Sequence, residues 1–289
     1  MRYLCSVLAA AACGGATASS PGRPSPPPIP PGTSLEPLIA TPPADKSQYA
    51  AAIVANYTKY DVRIPMRDGK RLYTTFYVPK DRGQTYPILL MRTPYSEKPY
   101  GPDHYPNAAE PRTLRNFAPS RAVVRDGFII VHQDVRGRMM SEGEFVDVRP
   151  VQSGEGVDET TDAYDTVEWL LNNVPHHNGR VGVWGISYPG FYAAQAAISG
   201  HPAIKAVSPQ APVTDWFIGD DFHHNGAFFL ADAFSFYSRF GRPRPKPTPV
   251  ADWRFDYYSG DAYSFYLQAG PLSNINRRYL KGAFPFGMT

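Results

Sequence analysis

Four short apolar runs constrain what this chain can fold into more than any other feature. They are residues 86–91 (YPILLM), 128–131 (FIIV), 181–184 (VGVW) and 204–207 (IKAV). Runs of this length, without polar alternation, are how strands buried on both faces read. Helical patterns lie between them. Residues 161–174 set Tyr164, Val167, Leu170, Leu171 and Val174 at three- and four-residue steps, and residues 188–198 (YPGFYAAQAAI) are alanine-rich. Strands alternating with helices predict a mostly parallel sheet with helices on both faces. Upstream, the β-like residues 57–64 and 72–78 flank Arg67-Asp68-Gly69-Lys70. Asp-Gly is a hairpin signal, so an antiparallel pair is expected at one edge of the sheet.

The ends read differently. Arg2, the apolar residues 3–12 (YLCSVLAAAA) and Ala16-Thr17-Ala18 form an export-signal pattern over residues 1–18, with cleavage after Ala18. The protein is therefore expected to be exported, periplasmic or secreted. The apolar run is too short to span a bilayer, so no membrane span is expected. Both cysteines, Cys5 and Cys13, fall inside this segment and leave the mature chain without a disulfide. Residues 19–48 are proline-rich and read as an extended linker or arm. The α/β core is expected over residues 49–212. Beyond it the strand–helix alternation stops. Residues 213–289 are aromatic, with 215–241 expected to be helical and 242–250 (RPRPKPTPV) a proline-broken loop. They read as the start of a helical cap over the sheet.

Charge narrows the partners. The net charge is +3 with no dense Lys/Arg block, so a nucleic-acid partner is excluded. A metal would need a ligand set, and none accompanies His223-His224, so no metal and no cofactor is expected. A homo-oligomer of the full-length protein is compatible with these features.

The chemistry centres on VWGISYPGF, residues 183–191. Ser187 lies between Gly185 and Gly190, after an apolar strand and before the alanine-rich helix. The count is one residue longer than G-x-S-x-G. Small residues here allow the sharp strand-to-helix turn that exposes a serine hydroxyl at the carboxyl edge of a sheet. The helix N-terminus behind it favours developing negative charge. The alternative is a serine that only caps the helix.

Three further blocks accompany the elbow: Arg92-Thr93-Pro94-Tyr95, Asp134-Val135-Arg136-Gly137-Arg138-x-x-Ser141-x-Gly143, and Gly219-Asp220-Asp221-Phe222-His223-His224-Asn225-Gly226-Ala227-Phe228. Together with Ser187-Tyr188-x-Gly190 they resemble the α/β-hydrolases that include cocaine esterase, X-prolyl dipeptidyl peptidase and the α-amino acid ester hydrolases, the last most of all. The resemblance implies an α/β-hydrolase fold and a serine hydrolase acting on small ester substrates through an acyl-enzyme, with β-lactam amines as acyl acceptors. It implies Ser187 as nucleophile, with the backbone N–H of Tyr188 and the hydroxyl of Tyr95 as oxyanion donors. Asp221 matches one member of a carboxylate cluster that holds the substrate's α-ammonium group, with Asp220 a structural neighbour. Asp134 and Arg136 are expected to pair or to order a loop under the site. Cocaine esterase-like and X-prolyl peptidase-like activities share the elbow, and a non-catalytic binding module is the reading from another class.

In this fold the acid and then the histidine of the triad follow the serine. After Ser187 the histidines are His201, in a helix-to-strand turn at the wrong end of the sheet, and His223 and His224, in the cap. None follows a further core strand. Both partners are therefore expected beyond Thr289, with residues 1–289 forming the N-terminal part of a longer enzyme that is inactive without the rest.

Overall fold

The computed structural model describes residues 45–149, 151–152, 156–215, 221–240, 242, 244–250, 255 and 261–280. The residues expected to form an export signal, and most of those expected to form a proline-rich arm, lie outside the described residues. A first helix, α1 (Lys46–Asn56), begins inside the stretch read as linker, where Asp45 caps it by accepting from Ser47 N at 2.8 Å.

Six strands build one sheet. β1 (Tyr57–Pro65) and β2 (Arg71–Pro79) are the expected hairpin, turned at Gly69, whose φ is +80°. β3 (Tyr86–Thr93), β4 (Ile129–Asp134), β5 (His177–Ile186) and β6 (Ile204–Gln210) are the four apolar runs. The order is β1-β2-β4-β3-β5-β6, antiparallel from β1 to β4 and parallel from β4 to β6. In register, Leu90 pairs with Val131 on one side and Val183 on the other. This is the mostly parallel sheet that the alternation predicted, with the antiparallel hairpin at one edge, and it fits the α/β-hydrolase fold that the resemblance implies.

Helices cover both faces because the inner strands β2, β3 and β4 bury side chains on both. On one face α1 and α2 (Pro111–Asn116) pack Tyr49, Ile53, Leu114 and Phe117 against Tyr57, Tyr77 and Ile130; α3 (Arg121–Asp126) precedes β4. On the other, α4 (Glu159–Asn173) and α5 (Tyr188–Ile198) pack Val167, Leu170, Ala193 and Ala196 against Ile88, Leu90, Val131 and Val183. A third, aromatic cluster forms over the carboxyl edge. There Tyr188, Phe191 and Tyr192 of α5 meet Phe222, Phe234, Tyr237, Phe240 and Phe265.

The cap differs from its expected form. Residues 223–228 are a hairpin, β7 (His223–His224) against β8 (Ala227–Phe228), and the helix α6 spans only Leu230–Tyr237. The reason is Asn225-Gly226, at φ +49° and +85°, the pair of left-handed residues that a tight hairpin turn needs. The two histidines therefore sit on a strand, and Asp221 caps no helix at Phe222. A further cap helix, α7, spans Ala262–Ala269.

Buried polar groups hold the loops at the carboxyl edge. Asp134 and Arg136, expected to pair or to order a loop, do not pair with each other. Arg136 forks onto Asp162 at 2.6 and 2.9 Å and reaches Asp68 at 2.6 Å, joining α4 to the β1–β2 turn. Asp134 orders the loop: Oδ1 accepts from Glu97 N at 3.0 Å, and Oδ2 from the Tyr100 hydroxyl at 2.8 Å and Met140 N at 3.1 Å. Buried Lys59 donates to the carbonyls of Gly101 and His104 at 2.7 and 2.9 Å, closing the same loop from below.

Glu97 is 2% exposed in this network. The Thr75 hydroxyl lies 2.7 Å from both Asp61 Oδ1 and Glu97 Oε1. A hydroxyl has one proton, so one of these contacts is a donation from a protonated carboxyl. Burial, with Asp134 beside it, pushes the Glu97 carboxyl well above its ordinary range; burial pushes Asp134 up to about 7. The folded chain thus keeps protons that the unfolded chain releases between about pH 4 and 7. Stability falls as pH rises through that window, by about 1.4 kcal/mol per pH unit for each retained proton. Glu97→Gln keeps the shape and removes the titration. It should flatten the fall in urea-unfolding free energy from pH 4.5 to 7 and raise stability at pH 7; an unchanged slope would show that Glu97 is ionised in the fold.

Candidate active site

β5 delivers the chain to Ser187 at φ +63°, ψ −121°, a conformation costly for any residue with a Cβ. The turn survives because its neighbours over-determine it. Ser187 N donates to the Gln210 carbonyl at 2.9 Å, at the end of β6, and the Ser187 carbonyl accepts from Phe191 N at 3.1 Å, opening α5. A Cβ at Gly185 would lie 2.1 Å from the Pro189 carbonyl oxygen. A Cβ at Gly190 would lie 2.7 Å from the Gln210 carbonyl oxygen and 3.1 Å from Pro212 Cα. Both glycines of the elbow are thereby explained: Gly190 lies against the end of β6 and the chain after it, and Gly185 against the backbone of Pro189.

The serine hydroxyl caps nothing. It makes no capping hydrogen bond and has no hydrogen-bond partner among the described residues. Ser187 is half-buried and its neighbour Ile186 is 54% exposed, so the hydroxyl stands at an accessible edge. The backbone N–H of Tyr188 is the first of α5, where no carbonyl lies one turn back to receive it.

Tyr95 is brought to the same place. Its ring centre lies 6.2 Å from that of Tyr188, edge to face, and 5.5 Å from that of Phe240. Its loop is tied by Tyr95 N donating to Thr93 Oγ1 at 3.2 Å and by Arg138 Nε donating to the Pro94 carbonyl at 2.9 Å. Ser96 follows at φ +134°. Burial pushes the Tyr95 phenol up to about 12, helped by the negative charges of Asp147 and Asp221. The group is a neutral O–H donor across the ordinary pH range.

Asp221 stands before β7, exposed, close enough for its charge to act on Tyr95. Gly219 and Asp220 lie outside the described residues. Asp147, which sequence reasoning missed, has a larger structural part. Its Oδ1 accepts from the Tyr188 hydroxyl at 2.6 Å and its Oδ2 from the Tyr237 hydroxyl at 2.8 Å, while the Tyr188 oxygen accepts from Val148 N at 2.7 Å. One carboxylate thus ties the elbow helix to the cap helix. Nothing in the spacing of residues 144–149 signals this, because both partners are distant in sequence.

The histidines do not meet Ser187. His201 lies before β6, at the end of the sheet away from the elbow, 3.1 Å from Glu168 Oε2. His132 is buried within β4 against the Phe117 carbonyl at 3.0 Å, and burial pulls it down to about 4. His223 packs at a tilt against Phe228, and His224 stacks on Phe229. Among the described residues no group of three or more His, Cys, Asp or Glu is arranged to hold a metal, and no helix is long and apolar enough to cross a membrane.

Comparison with known proteins places the fold and the family. Residues 68–259 match the family described as X-Pro dipeptidyl-peptidase (S15 family). The cocaine esterase of Rhodococcus sp. (strain MB1 Bresler) is 32% identical over 215 residues, covering 74% of this chain and 33% of that protein. Among solved structures, an aminopeptidase from a marine sediment archaeon, Thaumarchaeota archaeon, superposes with a TM-score of 0.63 at 35% identity over 79% of this chain and 36% of its own. An α-amino acid ester hydrolase superposes with a TM-score of 0.63 at 34% identity, over 86% of this chain and 39% of its own. The chain thus spans between 33% and 39% of the length of these relatives. With the S15 match covering the β1–β2 turn, the strained serine turn and the cap hairpin, the chain belongs to the X-Pro dipeptidyl-peptidase (S15) family, a hydrolytic family of the α/β-hydrolase fold.

Proposed function

We propose that the protein carrying this chain is a serine hydrolase that cleaves esters of α-amino acids through an acyl-enzyme and passes the acyl group to water or to amines, including β-lactam amines. The observation that carries this reading is the strained Ser187 turn at the sheet's carboxyl edge, with a protonated Tyr95 packed on the residue that follows it. In the reaction, Ser187 Oγ attacks the ester carbonyl carbon and its proton passes to a base. The carbonyl oxygen, now negative, accepts from Tyr188 N–H and the Tyr95 hydroxyl. The C–O bond to the alcohol breaks, the alcohol leaves with a proton, and water or an amine then attacks the acyl-serine. Among the described residues none of the seven histidines touches Ser187, and we assign the base and its acid to parts of the protein outside residues 1–289.

Asp221 gives the reading its acyl preference. An anion beside the oxyanion donor favours a substrate with an α-ammonium group. A second reading, amide rather than ester cleavage, is favoured by the likeness to a structure described as an aminopeptidase. Both readings share the amino-acyl half of the substrate, and parallel assays of a phenylglycine methyl ester and a phenylalanine p-nitroanilide separate them by relative kcat/KM.

Two outcomes are expected of the protein expressed from its complete coding sequence. Ser187→Ala should lower ester kcat by at least about 10⁴-fold and abolish the mass increase on fluorophosphonate treatment; turnover surviving the change would exclude Ser187 as nucleophile. Asp221→Asn should raise KM for substrates with a free α-amine about fivefold, the upper end of about 1 kcal/mol for an exposed ion pair. It should leave KM for des-amino analogues unchanged, and equal effects on the two substrate types would return Asp221 to a structural part.

A further inference from the structure

Arg138 lies on the loop after β4 and its long cationic side chain is 2% exposed. Its surroundings are unusual. Nε donates to the carbonyl of Pro94, the residue before Tyr95, at 2.9 Å. Its guanidinium carbon lies 5.2 Å from the centre of the Phe145 ring and 4.7 Å from that of Phe240. Those rings are the ones that pack on the two oxyanion donors. Phe240 lies 5.5 Å from Tyr95 and 5.6 Å from Tyr188, and Phe145 lies 6.4 Å from Tyr188, between ring centres.

The peptide that sets Tyr95 is thus held on both sides, by the Arg138 hydrogen bond before it and by the left-handed Ser96 after it. Arg138 also puts a fixed positive charge behind a phenol that must donate to a developing oxyanion. Its charge opposes the carboxylates of Asp147 and Asp221 at that hydroxyl. A flat guanidinium can stack on a ring and still hold a carbonyl through Nε, which an ammonium cannot do. Phe240 comes from the cap, so the stack closes only when the cap is seated.

We propose that Arg138 is the positioning residue for Tyr95, fixing the Pro94–Tyr95 peptide and, through its stack on Phe240, coupling the second oxyanion donor to the cap. The proposal rests on the reading of Tyr95 as an oxyanion donor and assigns the residue that makes the donor effective.

The test is a mutant cycle in the protein expressed from its complete coding sequence, assayed on phenylglycine methyl ester. Tyr95→Phe removes the donor and should lower kcat by about 10²–10³-fold. Arg138→Met should lower kcat about tenfold or more with KM held within about twofold, since the lost interaction belongs to the transition state. In the Tyr95→Phe background the same change should cost less than about twofold. Arg138→Lys, which keeps the charge without the fork, should recover less than half of the loss. Equal losses in both backgrounds, or full activity in Arg138→Met beside a damaged Tyr95→Phe, would overturn the proposal. Should Arg138→Met show no cooperative thermal transition, Arg138→Lys and Phe240→Leu carry the same comparison. A Tyr95→Phe variant with unchanged kcat would instead sink the oxyanion reading itself, a result separate from any Arg138 effect.

Discussion

The carboxylate of Asp134 is the point on which the upper edge of this molecule depends. It ends β4 in the middle of the sheet, fully buried. A carboxyl group there, with burial pushing it up to about 7, is tolerable only if hydrogen bonds replace the water it lost. Its donors are the N–H of Glu97, the hydroxyl of Tyr100 and the N–H of Met140. Those three groups come from the loops after β3 and after β4. Satisfying one carboxylate therefore fixes both loops together, and they carry Tyr95, Arg138 and Ser141. The Ser141 hydroxyl closes the arrangement by donating to the Asp134 carbonyl at 2.6 Å.

A second set of contacts joins this edge to the cap. Tyr188 has its backbone at the elbow, its ring among Tyr95, Phe145, Tyr192 and Phe240, and its hydroxyl between Asp147 and Val148. Asp147 extends the chain of bonds to Tyr237 in α6. Ring packing alone is forgiving, since neighbouring aromatics slide at little cost, whereas a carboxylate between two phenols admits few geometries. The polar bonds set the register of the cap on the elbow, and the rings exclude water around them. The strained backbone at Ser187 persists in this setting because the glycines on either side allow the backbone approach that no side chain would.

How much of this was legible follows from how local each signal is. The strands, the helices α4 and α5 and the elbow depend on side-chain period and on glycines within a few residues, and they appear where the pattern put them. The hairpin at residues 223–228 carried an equally local signal in Asn225-Gly226, overlooked because the aromatic residues around it suggested a helix. Asp134 and Arg136 are close in sequence, and proximity alone suggests that they act together. On a strand end and the turn after it they diverge, one toward Glu97 and Tyr100, the other toward Asp162 and Asp68. Asp147 had no local signal at all.

The amino-acid sequence by itself determined the alternating sheet, the sharp turn at Ser187 and the residue types gathered at that turn. Each follows from periodicity and from steric limits acting over a handful of neighbours. Only the tertiary structure decided that Tyr95 packs on Tyr188, that Arg138 reaches back to Pro94 and stacks on Phe240, and that Asp147 bridges α5 to α6. These contacts join residues roughly 40 to 100 positions apart. Their partners are selected by which side chains the β3-β5 pairing and the cap bring to one edge, and by the need of each buried charge for hydrogen bonds once water is gone.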